Sequence, residues 1–153
     1  MKIGIMGGTF NPIHNAHLLI AEMAREEYGL DRVIFITDGN PPHKSANVTA
    51  KQRFEMTHIA IADNSAFEED DFEINRSEKS YTVNTLGYLK EKYPNDDLFF
   101  IIGEDSLNDF DKWYKPDKIL EMCSLLVFPR KSLKSLTETV KAVKEKMNGR
   151  IFP

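Results

Sequence analysis

A single cysteine, Cys123, stands in the 153 residues, so no intrachain disulfide can staple this chain. Long apolar runs are missing too. None approaches the roughly 20 residues that a membrane-spanning helix needs. The N-terminus lacks the apolar core of a signal peptide, because Gly4 and Gly7 interrupt it. Together these absences predict a cytoplasmic setting. There is no long basic block, and the net charge is −4, which argues against nucleic acid as the main partner. Zinc chemistry lacks its ligands, with one cysteine and no HExxH spacing. Repeats and low-complexity segments are absent. Any anion site must therefore be local, built from a few side chains and backbone donors.

What is present reads as an ordinary globular composition, 41% apolar and 29% charged. The length predicts one domain over residues 1–153. Strands and helices alternate. Lys2 to Met6 reads as a strand and Asn15 to Tyr28 as a helix with Leu18, Leu19, Ala21, Met23 and Ala24 inward, ended by Gly29. Arg32 to Thr37 is a buried parallel-type strand, and Asp38 to Val48 is a loop. Thr49 and Gln52 make a capping box for a helix carrying Phe54, Met56, Ile59 and Ile61. Asp63 to Asp71 reads as acidic and exposed, Asp71 to Asn75 as a weak strand.

Further on, Thr82 starts a helix to about Lys92. Asp97 to Gly103 and Ser124 to Phe128 are apolar strands, separated by one or two short helices interrupted at Pro116. Ser135 and Glu138 form a second capping box before the stripe Leu136, Val140, Val143 and Met147. Ile151 and Phe152 open a last strand. This alternation predicts a doubly wound α/β fold, a Rossmann-like parallel sheet flanked by helices. Ligands of such sheets sit beyond the carboxyl ends of the strands.

The most informative stretch is Met6 to His17, MGGTFNPIHNAH. Gly7 and Gly8 permit a sharp turn and a close approach to a ligand. Thr9 and Asn11 add short polar groups, and Pro12 pre-sets φ for a helix start. His14 and His17 share a face of the first helical turn, where backbone N–H groups and the dipole favour an anion. Strand, glycine turn and histidine-bearing helix start together describe a phosphate site.

Other segments carry weaker signals. NPPHK, Asn40 to Lys44, is a proline-stiffened loop with His43 and Lys44, fit for an anion or for a plain surface turn. In KSYTV, Thr82 reads as an N-cap. GED, Gly103 to Asp105, offers a carboxylate beyond a strand or a solvated helix start. Trp113 can stack on a ring or simply pack, with Phe110 and Tyr114 as stand-ins. His58 reads as structural.

The glycine turn resembles the GGTFDPIHxGH signature of the nucleotidyltransferase superfamily, with Asn11 for Asp and Ala16 for Gly. PPHK and SYT at their positions resemble the bacterial nicotinate mononucleotide adenylyltransferases in particular. That resemblance implies transfer of AMP from ATP to nicotinate mononucleotide, with release of pyrophosphate. It implies that Gly7, Gly8, Thr9, Phe10, His14, His17, Gly103 and Asp105 serve ATP. It gives Thr9, Lys44, Tyr81, Thr82 and Trp113 to nicotinate mononucleotide. His14, His17 and Lys44 would be the catalytic groups, with no metal ligand from the protein and Mg2+ arriving with ATP. The histidine pair is expected to gain charge only when ATP binds, since the helix dipole opposes imidazolium.

The small-molecule substrates imply no nucleic-acid or membrane partner, and an unfinished strand edge leaves an oligomer open. The family's C-terminal ISSTxIR motif is absent from these residues. A shortened form of a longer enzyme is therefore expected, with a nucleotide-binding domain of little turnover as the alternative. Pantetheine-phosphate adenylyltransferase is the other rival.

Overall fold

Strand formation follows the apolar runs. In the computed structural model, which describes residues 1–8, 10, 13–39, 49–75, 81–129, 138, 140, 141, 143, 144 and 149–153, Lys2–Gly8 form β1 and Arg32–Thr37 form β2. Ile3, Ile5, Val33 and Phe35 are fully buried. The two strands pair in parallel, Ile3 opposite Arg32 through to Gly8 opposite Thr37. Phe67–Asp70 form β3, parallel to β2 with Val33 opposite Phe67. Helices α1, Asn15–Tyr28, and α2, Ala50–Ile61, make the crossovers. These elements belong to the first of two compact units, Met1–Tyr81.

The second unit, Thr82–Pro153, repeats the plan. Helix α3, Thr82–Lys92, leads into β4, Asp97–Gly103. Two short helical pieces follow, α4 at Glu104–Asn108 and a single 3-10 turn at Phe110–Lys112. Helix α5, Pro116–Met122, then precedes β5, Ser124–Phe128. Strand β6, Ile151–Phe152, pairs in parallel with β5, as β5 does with β4. Within each unit the strands neighbour one another in chain order, β1, β2, β3 and β4, β5, β6, each in the manner of one half of a doubly wound sheet. No helix among the described residues is long and apolar enough to cross a membrane.

Several expectations need correction. The third strand lies at Phe67–Asp70, inside the stretch expected to be exposed, and residues 71–75 turn instead. Phe67 is buried with its ring 5.0 Å from that of Phe35, an anchor on β2, whereas Phe72 and Ile74 in the following stretch are only half-buried. The Phe72 N–H then donates to Asp70 Oδ1 at 2.9 Å and turns the chain away. Leu19 and Met23 point outward, 61% and 55% exposed, while Ala21 is fully buried. Two residues along a helix is a rotation of about 200°, so both lie nearly opposite Ala21. Likewise α2 buries Arg53, Thr57 and Ile61, spaced by four, and leaves Ile59 75% exposed.

Thr82 is the first helical residue of α3, just inside the cap position. Pro116 opens α5 at its first position, where a missing N–H costs nothing, so it starts a helix and does not interrupt one. Of the C-terminal stripe, Val140 and Val143 are buried, while Ser135, Leu136 and Met147 lie outside the described residues.

One carboxylate ties α2 to β3. Glu69 Oε1 meets His58 Nδ1 at 2.8 Å, and Glu69 Oε2 is buried with no hydrogen-bond partner among the described residues. Burial raises the Glu69 pKa, with the His58 hydrogen bond opposing. An acid whose folded-state pKa is raised favours folding in its protonated form. That advantage is complete below the unfolded pKa and is lost as pH rises through the folded one. Glu69→Gln is therefore expected to raise Tm at pH 8 and to leave it unchanged at pH 4, as thermal melts at both values would read.

Candidate active site

The first candidate site is the turn between β1 and α1. Phe10 has φ 49°, a left-handed conformation that a bulky residue adopts only under constraint. It is 3% exposed. The constraint is its own ring. The ring lies against Gly8, where an added Cβ would meet Phe10 Cε1 at 3.1 Å. It also packs edge-on to His17, with centroids 5.2 Å apart. Gly8 is thus needed for close approach, and Phe10 is a buried post beneath the histidine.

His14 is the N-cap of α1. Its ring faces that of His17 with centroids 3.9 Å apart. The His14 backbone N–H donates to His17 Nδ1 at 3.2 Å. An Nδ1 that accepts a bond carries no proton, so the neutral His17 ring holds its hydrogen on Nε2. That is a preset donor in the first turn of a helix. Burial, and next His14, lower the His17 pKa. A lowered histidine pKa means that the neutral form suits the fold above the usual value of about 6.5, and that this stability is lost as pH falls. The His17 ring resonances are expected to titrate below that value without ligand and above it once MgATP is bound. A nuclear magnetic resonance pH titration checks both.

The end of β2 joins this turn. The Asp38 N–H donates to Gly8 O at 2.9 Å, and Arg53 Nη1 donates to the Asp38 carbonyl at 2.6 Å. Arg53 is 2% exposed. Nothing in the sequence reading singled it out. Its spacing with Thr57 and Ile61, one buried stripe along α2, was the available signal. Thr9 and Lys44, expected in the site, lie outside the described residues. Tyr81 is exposed at the end of the first unit.

In the second unit Gly103 caps α4, Glu104 is buried and Asp105 is exposed. Thr82, half-buried, begins α3. Trp113 is half-buried, its ring 5.1 Å from that of Phe110 and edge-on to Phe100 at 6.2 Å. Cys123 is no nucleophile. Burial pushes its thiol up to about 12, and its Sγ donates to the Ile119 carbonyl at 3.4 Å. Within the first unit, then, Gly7, Gly8, Phe10, His14 and His17 come together. Within the second, Gly103 and Asp105 are neighbours at the end of β4.

Residues 5–148 match the Cytidylyltransferase-like family, which makes the class that of nucleotidyltransferases. A Citrifermentans bemidjiense protein named as a nicotinate-nucleotide adenylyltransferase is 48% identical over 144 residues, 92% of this chain and 67% of the relative. A protein of the same description from Geobacter sulfurreducens is 50% identical over 132 residues, 85% of this chain and 61% of the relative. The chain thus spans about two thirds of the length of one of these relatives and less than that of the other.

Among solved structures, Plasmodium falciparum nicotinic acid mononucleotide adenylyltransferase complexed with NaAD has the same fold. Its TM-score is 0.81 over 99% of this chain and 75% of that one, at 22% identity. A Vibrio parahaemolyticus structure titled a nicotinate-nucleotide adenylyltransferase gives 0.71 over 96% and 83%, at 26% identity. The fold is the doubly wound, Rossmann-like one expected. The chain belongs to the cytidylyltransferase-like family and, within it, to the nicotinate-nucleotide adenylyltransferases.

Proposed function

We propose that this chain transfers AMP from ATP to nicotinate mononucleotide, giving nicotinate adenine dinucleotide and pyrophosphate, a step of NAD biosynthesis. The observation that carries the reading is the histidine pair at the N-terminus of α1, with the Nε2 hydrogen of His17 preset as a donor. A phosphomonoester has a second pKa of about 6, so the attacking phosphate is already largely ionised at neutral pH. Its oxygen forms a bond to the α-phosphorus of ATP, and the bond from that phosphorus to the bridging oxygen breaks. The electron pair leaves with pyrophosphate.

No protein nucleophile is required, and the inert Cys123 fits that. Catalysis rests on positioning and on charge stabilisation. His14 and His17 receive the charge that develops on the departing phosphates, with Gly7, Gly8 and the backbone groups of Thr9 and Phe10 lining the nucleotide. Gly103 and Asp105 serve the ATP ribose. Lys44, Tyr81, Thr82 and Trp113 serve the pyridine nucleotide, Thr82 through helix N–H groups aimed at the carboxylate and Trp113 through its ring face.

No group of three or more His, Cys, Asp or Glu among the described residues could hold a metal. Among the described residues the side-chain donors at the turn are the imidazoles of His14 and His17, whereas magnesium prefers oxygen. These residues therefore suit Mg2+ carried on the triphosphate oxygens as part of the substrate, where it neutralises phosphate charge.

The test is pyrophosphate release from MgATP with nicotinate mononucleotide, nicotinamide mononucleotide or phosphopantetheine. Release with the acid and little with the other two is expected. Release driven by phosphopantetheine, or by none of the three, would overturn the assignment.

A further inference from the structure

His17 stands at the end of a line of buried rings. Phe67 on β3 packs 5.0 Å from Phe35 on β2. Phe35 lies 6.1 Å from Phe10, in the turn after β1, and Phe10 lies 5.2 Å from His17. Each step falls within the roughly 4.5–7 Å over which aromatic rings attract one another. No neighbours stack flat, the interplanar angles being 60°, 47° and 79° along the line. Phe67, Phe35 and Phe10 are buried, and His17 at the end is partly open. The line thus joins the interior of the first unit to the histidine pair.

Ordinary core packing does not require this geometry. Phe10 reaches Phe35 from a turn, and its backbone takes φ 49° to do so. A left-handed backbone at a bulky residue persists only where the surroundings over-determine it. Three contacts do so here. Gly8 lies against the ring, close enough that an added Cβ would meet Phe10 Cε1 at 3.1 Å. Phe35 meets the ring on its core side and His17 on the site side. For His17 the contact supplies something the hydrogen bond does not. The bond from the His14 N–H to Nδ1, 3.2 Å long, is at the long end of the ordinary range and leaves the ring room to tilt. The Phe10 ring, set at 79° to the imidazole, is the second restraint.

We propose that Phe10 and Phe35 are positioning residues for the transfer: Phe35 holds Phe10, and Phe10 holds the His17 ring at the tilt in which its Nε2 hydrogen meets the departing phosphates. The kinetic half of this rests on the adenylyltransferase reading. The ordering of His17 is a matter of geometry and is measured without turnover.

The experiment compares the unaltered chain with Phe10→Leu, Phe35→Leu, the double variant and Ile34→Val. Leucine keeps apolar bulk and removes the ring. Ile34 is buried beside Phe35 on β2, on the opposite face of the strand, so Ile34→Val is the control for lost packing alone. Nitrogen-15 resonance of the His17 imidazole reads its tautomer, and steady-state pyrophosphate release gives kcat and both KM values. A single Nε2–H tautomer is expected in the unaltered chain and in Ile34→Val. A mixture of the two tautomers is expected in both leucine variants, because a ring free to tilt loses the His14 bond. In both, kcat should fall about tenfold, since small misplacements at a reacting centre cost that much or more, with both KM values within about twofold. The double variant should be at most about twofold slower than Phe10→Leu, because Phe35 acts through Phe10.

A folded Phe10→Leu that keeps either the single tautomer or the unaltered kcat would overturn the proposal. So would equal losses in Ile34→Val, or a double variant whose loss is the product of the two single ones. If Phe10→Leu does not fold, Phe35→Leu, which leaves every residue of the turn in place, decides by the same two readouts. If the unaltered chain releases no pyrophosphate, the adenylyltransferase reading fails and the kinetic half fails with it, while the tautomer still decides whether the rings order His17.

Discussion

His17→Ala is expected to lower pyrophosphate release about 10²–10³-fold, the usual loss when one preorganised donor to a developing charge is removed. The fall should appear mainly in kcat. A group that binds charge arising only in the transition state contributes little to the ground-state complex. The structure adds a further reason for a large effect. His17 Nδ1 holds the His14 N–H, and the two rings face each other at 3.9 Å. Removing His17 therefore loosens His14 as well. The double variant His14→Ala/His17→Ala should cost little more than the worse single one, because groups acting as a unit are not additive. Thermal melts should move little, since neither ring is part of the buried core. A His17→Ala protein that keeps kcat within threefold would remove the histidine pair from the mechanism.

Phe110→Ala is expected to be the most damaging single change for the second unit. Phe110 is fully buried, and emptying such an aromatic site costs about 3–5 kcal/mol. In a chain of this size that corresponds to a fall in Tm on the order of 10 °C. The loss reaches Trp113, whose ring rests 5.1 Å from that of Phe110. If Trp113 presents its face to the pyridine ring, KM for nicotinate mononucleotide should rise several-fold below the melting range, with KM for ATP unaltered. Phe110→Leu refills much of the volume and should restore most of the Tm but little of the KM. Equal changes in both KM values would place Trp113 in packing alone.

The parts legible in the sequence were those with a local cause. The β1 run and the glycine turn announce themselves through two adjacent glycines, and the α1 start through two histidines at helical spacing. Thr49 and Gln52 form the reciprocal box expected of them, with bonds of 3.1 Å in each direction. What escaped was set by tertiary contact. β3 is a four-residue strand whose single aromatic finds Phe35, a partner far away in sequence. Leu19, Met23 and Ile59 are apolar yet outward, because the stripe that packs is centred elsewhere on each helix. Arg53 escaped because a charged residue is read as surface, and its bond to the carbonyl just past β2 exists only in the fold. Phe10 reads as one letter of a motif. Its left-handed backbone and its place beneath His17 belong to the fold.

Adenylyl transfer is read most plainly by following the α-phosphorus itself. ATP labelled at that phosphorus is incubated with magnesium, nicotinate mononucleotide and this chain, and the products are separated. Label is expected in nicotinate adenine dinucleotide, one equivalent for each pyrophosphate released. Label remaining in ATP, or appearing as free AMP, would contradict that transfer.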